Sequence, residues 1–97
     1  MAYFFFKLVP ARPGFSGETM TDEDRRIMQD HVAYWTDQRD KGVALIFGPV
    51  LDPKGVFGVG IIEIEDETAA QQLSVDDPAV KSGLQRTEIY PMPRLVR

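Results

Sequence analysis

Apolar residues recur at every second position in some segments of the chain and at helical spacing in others. This pattern predicts where the strands and helices lie. Residues 2–10 are aromatic and rich in side chains that favour strands, which predicts a first strand. Residues 10–20 contain two prolines and two glycines, a composition typical of a loop. Thr21 provides a capping oxygen for a long helix that runs to about Lys41, and Gly42 provides its stop.

The second half of the chain predicts a hairpin, a second helix and a last strand. Asp76, Asp77 and Pro78 interrupt the second helix, because a proline cannot continue a helix that has already formed. The predicted elements are a strand at 43–47 ended by Gly48-Pro49, a turn at 52–55, a strand at 56–65, a helix at 66–73, a short helical turn before Gly83, and a strand at 84–92. The order βαββαβ predicts an α+β, ferredoxin-like fold, in which an antiparallel sheet carries two helices on one face.

The first and third predicted strands are apolar on both faces. In the first strand Phe4 and Phe6 alternate with Phe5, and in the third strand Ile62 alternates with Ile61. Two helices can cover only one face of a sheet, so the other face must pack against another surface. The simplest such surface is a second copy of the chain, which predicts a homodimer with its sheets packed face to face.

Composition and charge restrict the class of protein and its partners. The 97 residues are enough for one domain, 1–97, and 43% hydrophobic with 27% charged residues is ordinary for a globular protein. The net charge of −4, without a basic cluster, argues against nucleic acid and membrane surfaces as partners. The chain has no cysteine, and its apolar start is too short for a signal peptide or a membrane span, so we expect a cytoplasmic protein.

The only histidine, His31, is the main candidate for chemistry. On the predicted helix it shares a face with Tyr34 and Trp35, so its ring turns toward the interior, where its nitrogens need partners. Two interpretations remain open: a backbone carbonyl holds the ring in a structural role, or a site uses it for proton transfer near neutral pH. Asp77 is the natural partner in the second case, although an Asp before Pro78 is also an ordinary helix cap.

The remaining site candidates each have a structural alternative. Gly48 and Pro49 either end a strand or let the backbone approach a ligand beside the histidine. The loop with Arg12 and Phe15 is a surface loop or a lid, with Arg12 available to an anionic substrate. Tyr34 is a core residue or part of a binding platform. One histidine with scattered carboxylates predicts no metal site, and no cofactor motif is present.

Several landmarks in this order resemble the YCII-related (YciI-like) family of the dimeric α+β barrel superfamily. They are His31 in the first helix, Gly42 at its end, Gly48-Pro49, Asp77-Pro78 followed by Gly83, and the ending Ile89-Tyr90-Pro91. The resemblance implies a ferredoxin-like fold, a dimeric α+β barrel, and a His–Asp pair that lines a pocket at the end of the barrel. A related enzyme type removes HCl from a chlorinated aromatic breakdown product, and muconolactone isomerases belong to the wider superfamily.

The chain departs from the usual pattern of that family at two positions. Ala79 stands where an aromatic residue often follows Asp-Pro, and Gly58 stands where a serine often lies in the third strand. Both changes widen a pocket or remove a hydroxyl. The substrate therefore need not match that of any relative.

Two functions follow from these observations. In the first, the protein is a small cofactor-free enzyme, in which His31, oriented by Asp77, abstracts a proton beside a carbonyl or lactone, or assists an elimination or isomerisation of a ring-cleavage metabolite. In the second, the protein is a non-catalytic dimeric domain that binds a small metabolite or supports a neighbouring protein, and His31 is structural. A cavity beside the imidazole favours the first function, and a fully paired imidazole favours the second.

Overall fold

A computed structural model describes residues 1–11 and 19–96. The four strands form one antiparallel sheet in the order β2-β3-β1-β4, so that β1 and β3 are central and β2 and β4 are edges. The predicted ferredoxin-like order is confirmed, with the short helical turn before Gly83 present as α3. The elements are β1 (Ala2–Pro10), α1 (Asp22–Asp40), β2 (Ala44–Val50), β3 (Phe57–Ile64), α2 (Glu67–Val75), α3 (Pro78–Lys81) and β4 (Gln85–Met92).

The long helix α1 has a defined start and a defined end. Thr21 Oγ1 accepts a hydrogen bond from the Asp24 N–H, and the Thr21 N–H donates to the Asp24 carboxylate, each over 3.1 Å. This reciprocal pair is a capping box, which satisfies donors that a helix start would otherwise leave free. After Lys41 the chain leaves the helix through Gly42, whose φ of 80° is left-handed and costs glycine little.

The edge strand β2 is longer than its sequence predicts. It continues through Gly48 and Pro49 to Val50, and Pro49 pairs with Gly58 of β3. The prediction that Gly48-Pro49 ends this strand was therefore wrong. A proline lacks an N–H donor, but an edge strand has one side without a neighbouring strand and so tolerates that loss.

The core lies between the helices and one face of the sheet. Phe4, Phe6 and Leu8 of β1 are buried on this face, with Phe6 fully enclosed. Trp35 of α1 is 2% exposed, and its ring meets Phe6 edge-on with centroids 5.7 Å apart. This packing holds the middle of α1, which carries His31, against the buried face of the sheet.

The opposite face of the sheet carries an apolar row that stays partly exposed. Ile46, Ile61, Phe5 and Tyr90 are neighbours across β2, β3, β1 and β4, in that order. Ile46 is 59% exposed and Tyr90 is 49% exposed, although Phe5 and Tyr90 lie with ring centroids 6.1 Å apart. This apolar row lies on the face that the sequence assigns to a second copy, and the homodimer stays a prediction.

Candidate functional site

The start of α3 brings Asp77 against His31 of α1, across 46 residues of chain. Nδ1 of His31 lies 2.8 Å from each oxygen of the Asp77 carboxylate. The carboxylate is fully buried, whereas the His31 side chain is 15% exposed. Since a carboxylate only accepts hydrogen bonds, Nδ1 carries the proton, and in the neutral ring Nε2 has the free lone pair.

The Asp77 carboxylate accepts two further hydrogen bonds. The indole Nε1–H of Trp35 donates to Oδ2 over 2.8 Å, and the backbone N–H of Ala79 donates to Oδ1 over 2.9 Å. The bond from Ala79 is the N-cap of α3, with Pro78 in the first turn. The two interpretations of Asp77 are therefore compatible, because one carboxylate both caps α3 and contacts the imidazole.

A cavity of about 730 Å³ opens beside His31. It lies between α1 and the hairpin of β2 and β3, and this volume is within the range of small-molecule sites. Its wall includes His31 but not Asp77, so the carboxylate holds the ring from inside the protein while another part of the ring faces the cavity. Much of the wall is apolar and aromatic, with Leu8, Met28, Trp35, Phe47, Val56 and Phe57.

Comparison with known proteins places the chain in a family. Residues 4–93 match the family model of the YCII-related domain. The chain belongs to the YCII-related domain family. No curated protein sequence matches it.

The fold of this YCII-related protein is similar to that of one solved enzyme complex. That structure is 5-chloro-2-hydroxyhydroquinone dehydrochlorinase (TftG) from Burkholderia phenoliruptrix AC1100 in complex with 2,5-dihydroxybenzoquinone. The two chains are 19% identical, the match covers 95% of each, and the TM-score is 0.61. At this identity the likeness shows a shared fold.

Trp35 is the site residue whose role the sequence analysis missed. It is a core ring, as its apolar face predicts, and its Nε1–H also binds the carboxylate that contacts His31. The available signal is its position four residues after His31, because residues at this spacing lie above one another on a helix and reach the same neighbour.

Glycines of β3 leave space in the cavity wall. A Cβ added at Gly58 would lie 3.5 Å from the Cβ of Leu8, and one at Gly60 would lie 3.8 Å from Cζ3 of Trp35. These are ordinary contact distances, so a methyl group fits at either position. Both glycines line the cavity, and the expected widening of a pocket at Gly58 agrees with this placement.

Tyr34 does not line the cavity that His31 faces. Its hydroxyl donates to the carbonyl oxygen of Leu73 over 2.6 Å, and its ring meets Trp35 edge-on at 5.8 Å. Burial raises the pKa of the Tyr34 hydroxyl well above its usual value, and nearby aspartates, led by Asp76, raise it further. Tyr34 thus links α1 to α2, and its predicted role in binding a substrate stays a prediction.

The other predicted binding residues fall into two groups. Gly48 and Pro49 line the same cavity as His31, so the structure brings these three together. Arg12 and Phe15 lie outside the described residues.

The described part of the chain has neither a cluster of metal-ligand residues nor a helix suited to span a membrane. Within residues 1–11 and 19–96, no three His, Cys, Asp or Glu side chains are grouped as metal ligands would be. No helix in this described part is both long enough and apolar enough to cross a membrane. A site without metal or cofactor and a cytoplasmic location both stay predictions.

Proposed function

We propose that this YCII-related protein is a cofactor-free enzyme in which His31 transfers a proton in a lyase, isomerase or dehydrochlorinase-type reaction on a small carbonyl, lactone or ring compound. One observation carries the proposal. A histidine held through Nδ1 by a buried carboxylate lines an apolar cavity of about 730 Å³. No hydrogen bond from the described residues occupies its other ring nitrogen, Nε2.

His31 is the base in this mechanism and Asp77 is its positioning residue. Nε2 removes a proton from a carbon beside a carbonyl, and the electron pair of that C–H bond forms a new double bond. In an elimination the leaving group departs with its own bonding pair, and in an isomerisation the imidazolium returns the proton to another carbon. The Asp77 carboxylate stabilises the imidazolium by accepting the hydrogen bond from Nδ1–H.

The apolar wall supports this chemistry and the class of substrate. Where aromatic and aliphatic side chains exclude water, the interaction between the imidazolium and its carboxylate is screened less than it would be in solution. The wall formed by Trp35, Phe47 and Phe57 suits a flat apolar ring or lactone more than a highly charged metabolite. The similar fold of a dehydrochlorinase bound to 2,5-dihydroxybenzoquinone supports the same class.

The test is a comparison of wild type with His31→Gln on a panel of lactones and chlorinated hydroxylated rings. Chloride release and lactone isomerisation are measured, and we expect the variant to lose about 10²-fold or more in turnover. Gln29→Ala is the matched control, since Gln29 is exposed on the same helix and does not line the cavity. A folded His31→Gln protein that turns over substrate at the wild-type rate contradicts the proposal.

A non-catalytic binding domain is the second candidate function. It is favoured by the fact that the contact between His31 and Asp77 also joins α1 to α3, which is a structural task. In this case His31→Gln lowers the melting temperature but leaves ligand binding unchanged, and no substrate on the panel is turned over.

The homodimer is part of the proposal. In the apolar row of Ile46, Ile61, Phe5 and Tyr90, the side chains of Ile46 and Tyr90 are exposed in the single chain, and a second copy would remove them from water. Packing two such faces together also fits the dimeric barrel that the family resemblance implies.

A further inference from the structure

Two buried side-chain oxygens have no hydrogen-bond partner in the described part of the chain: Oε1 of Gln85 and Oγ1 of Thr87. They lie two residues apart on β4, so both point to the same face of the sheet. Buried polar atoms in native proteins are nearly always paired, and an exception calls for a physical explanation.

The two residues differ in their relation to the cavity. Gln85 lines it, opposite Pro10 of β1, whereas Thr87 does not line it. A ligand in the cavity can therefore contact Gln85 but not Thr87. Oε1 of Gln85 is itself buried, so the end of the side chain has to turn before this oxygen meets a ligand. Thr87 also has a buried oxygen without a partner but does not line the cavity, so it serves as the control.

The terminal amide of Gln85 is free to adapt to a ligand. A half-turn of this group exchanges Oε1 and Nε2 with almost no change of shape, so it can present either an acceptor or a donor. Because Oε1 has no partner in the described chain, the turn breaks no hydrogen bond at that atom.

We propose that Gln85 is a substrate-binding residue that selects rings bearing a hydroxyl group, by accepting a hydrogen bond from that hydroxyl. This inference deepens the proposed function, and rests on it in taking the cavity as the substrate site. The apolar wall binds the ring itself, while Gln85 on β4 and His31 on α1 supply polar groups from two separate elements. A site that hydrogen-bonds a substrate hydroxyl discriminates strongly against the analogue without it.

The experiment measures binding, not turnover, with phenol and toluene as probes, because the two molecules have the same shape and differ in one hydroxyl. Their dissociation constants are measured by NMR titration for wild type, Gln85→Met and Thr87→Val. The ratio of the two constants within each protein cancels changes in cavity shape. We expect Gln85→Met to reduce the preference for phenol about tenfold, and Thr87→Val to keep the wild-type ratio.

Melting temperatures separate this role from a merely structural one. Both substitutions remove an unpaired buried oxygen, so neither should lower the melting temperature, but only Gln85→Met should change the ratio. The same phenol preference in wild type and Gln85→Met overturns the inference, and so does the absence of binding of both probes by wild type.

A direct measurement covers the case in which Gln85→Met does not fold. In 15N-labelled wild type the side-chain amide signal of Gln85 should shift with phenol and much less with toluene, and equal shifts overturn the inference. His31→Gln distinguishes this inference from the proposed function. If the variant keeps both its turnover and the phenol preference, the proton-transfer role fails while the assignment of Gln85 stands.

Discussion

Nδ1 of His31 lies 2.8 Å from both carboxylate oxygens of Asp77, which are themselves held by donors from Trp35 and Ala79. The carboxylate is fully buried, so its orientation is set by these donors and not by water. The imidazole is therefore held in one tautomer and one orientation, with its far edge toward the cavity. An enzyme that begins with proton abstraction needs this arrangement, and the proposed function depends on it.

Asp77→Asn should reduce both turnover and stability. Asparagine keeps the volume and can still cap α3 through its carbonyl oxygen, but it brings no charge to stabilise the imidazolium. We expect a loss of about 10²-fold or more in kcat on a substrate found with the panel, and about 1–3 kcal/mol in the free energy of unfolding. Asp76→Asn is the matched control, since Asp76 is exposed and, in the described chain, its carboxylate accepts a hydrogen bond only from the Gln72 side chain. Equal turnover in Asp77→Asn and Asp76→Asn would contradict the role of Asp77.

Trp35→Phe should weaken the fold through the loss of one hydrogen bond to Asp77. The ring stays aromatic in the core, but the carboxylate loses a buried donor. A double-mutant cycle with Asp77→Asn, measured by urea unfolding, separates this bond from the loss of ring volume. We expect a coupling energy of about 1 kcal/mol or more. A coupling energy near zero would mean that the indole N–H contributes nothing through Asp77.

The stability contribution of Tyr34 should be lost at high pH. The folded-state pKa of Tyr34 is raised, first by burial and then by Asp76, Asp77 and Asp37, so folding favours the neutral hydroxyl. A raised folded pKa gives a contribution that is complete below the unfolded value of about 10 and falls as the pH rises above it. The measurement is the free energy of unfolding of wild type and Tyr34→Phe between pH 8 and about pH 11. The difference between the two proteins should shrink above about pH 10, and a constant difference would contradict the assignment.

Ile46→Lys should convert the predicted dimer to a monomer. Ile46 is 59% exposed in the single chain and belongs to the apolar row, where a charge would be buried on association. Val75→Lys is the control, because Val75 is 55% exposed but lies at the end of α2, away from the sheet. Sedimentation equilibrium at micromolar concentration should give a dimer for wild type and for Val75→Lys. A stable wild-type monomer in the same experiment would contradict the homodimer.

The sequence predicts the elements well where their signals are local. The cap at Thr21, the helix end at Gly42 and the turn at 52–55 depend on a few adjacent residues, and all three are present. The end of β2 was wrongly predicted, because the effect of Pro49 depends on whether β2 has a neighbour on both sides. That property belongs to the sheet order and not to the residues near the proline.

The candidate site, like the fold, was only partly predictable from the sequence. The sequence alone shows an inward histidine, a family resemblance and a first strand that is apolar on both faces. It therefore predicts that both faces of the sheet are covered. The 2.8 Å contacts of Asp77 with His31 and Trp35, the cavity beside them and the unpaired oxygen of Gln85 exist only in the folded chain. The spacing of apolar residues shows which face of a helix or strand a residue occupies. Asp77, however, lies 46 positions after His31 and 42 after Trp35, so these contacts depend on how α1 and α3 pack over the sheet.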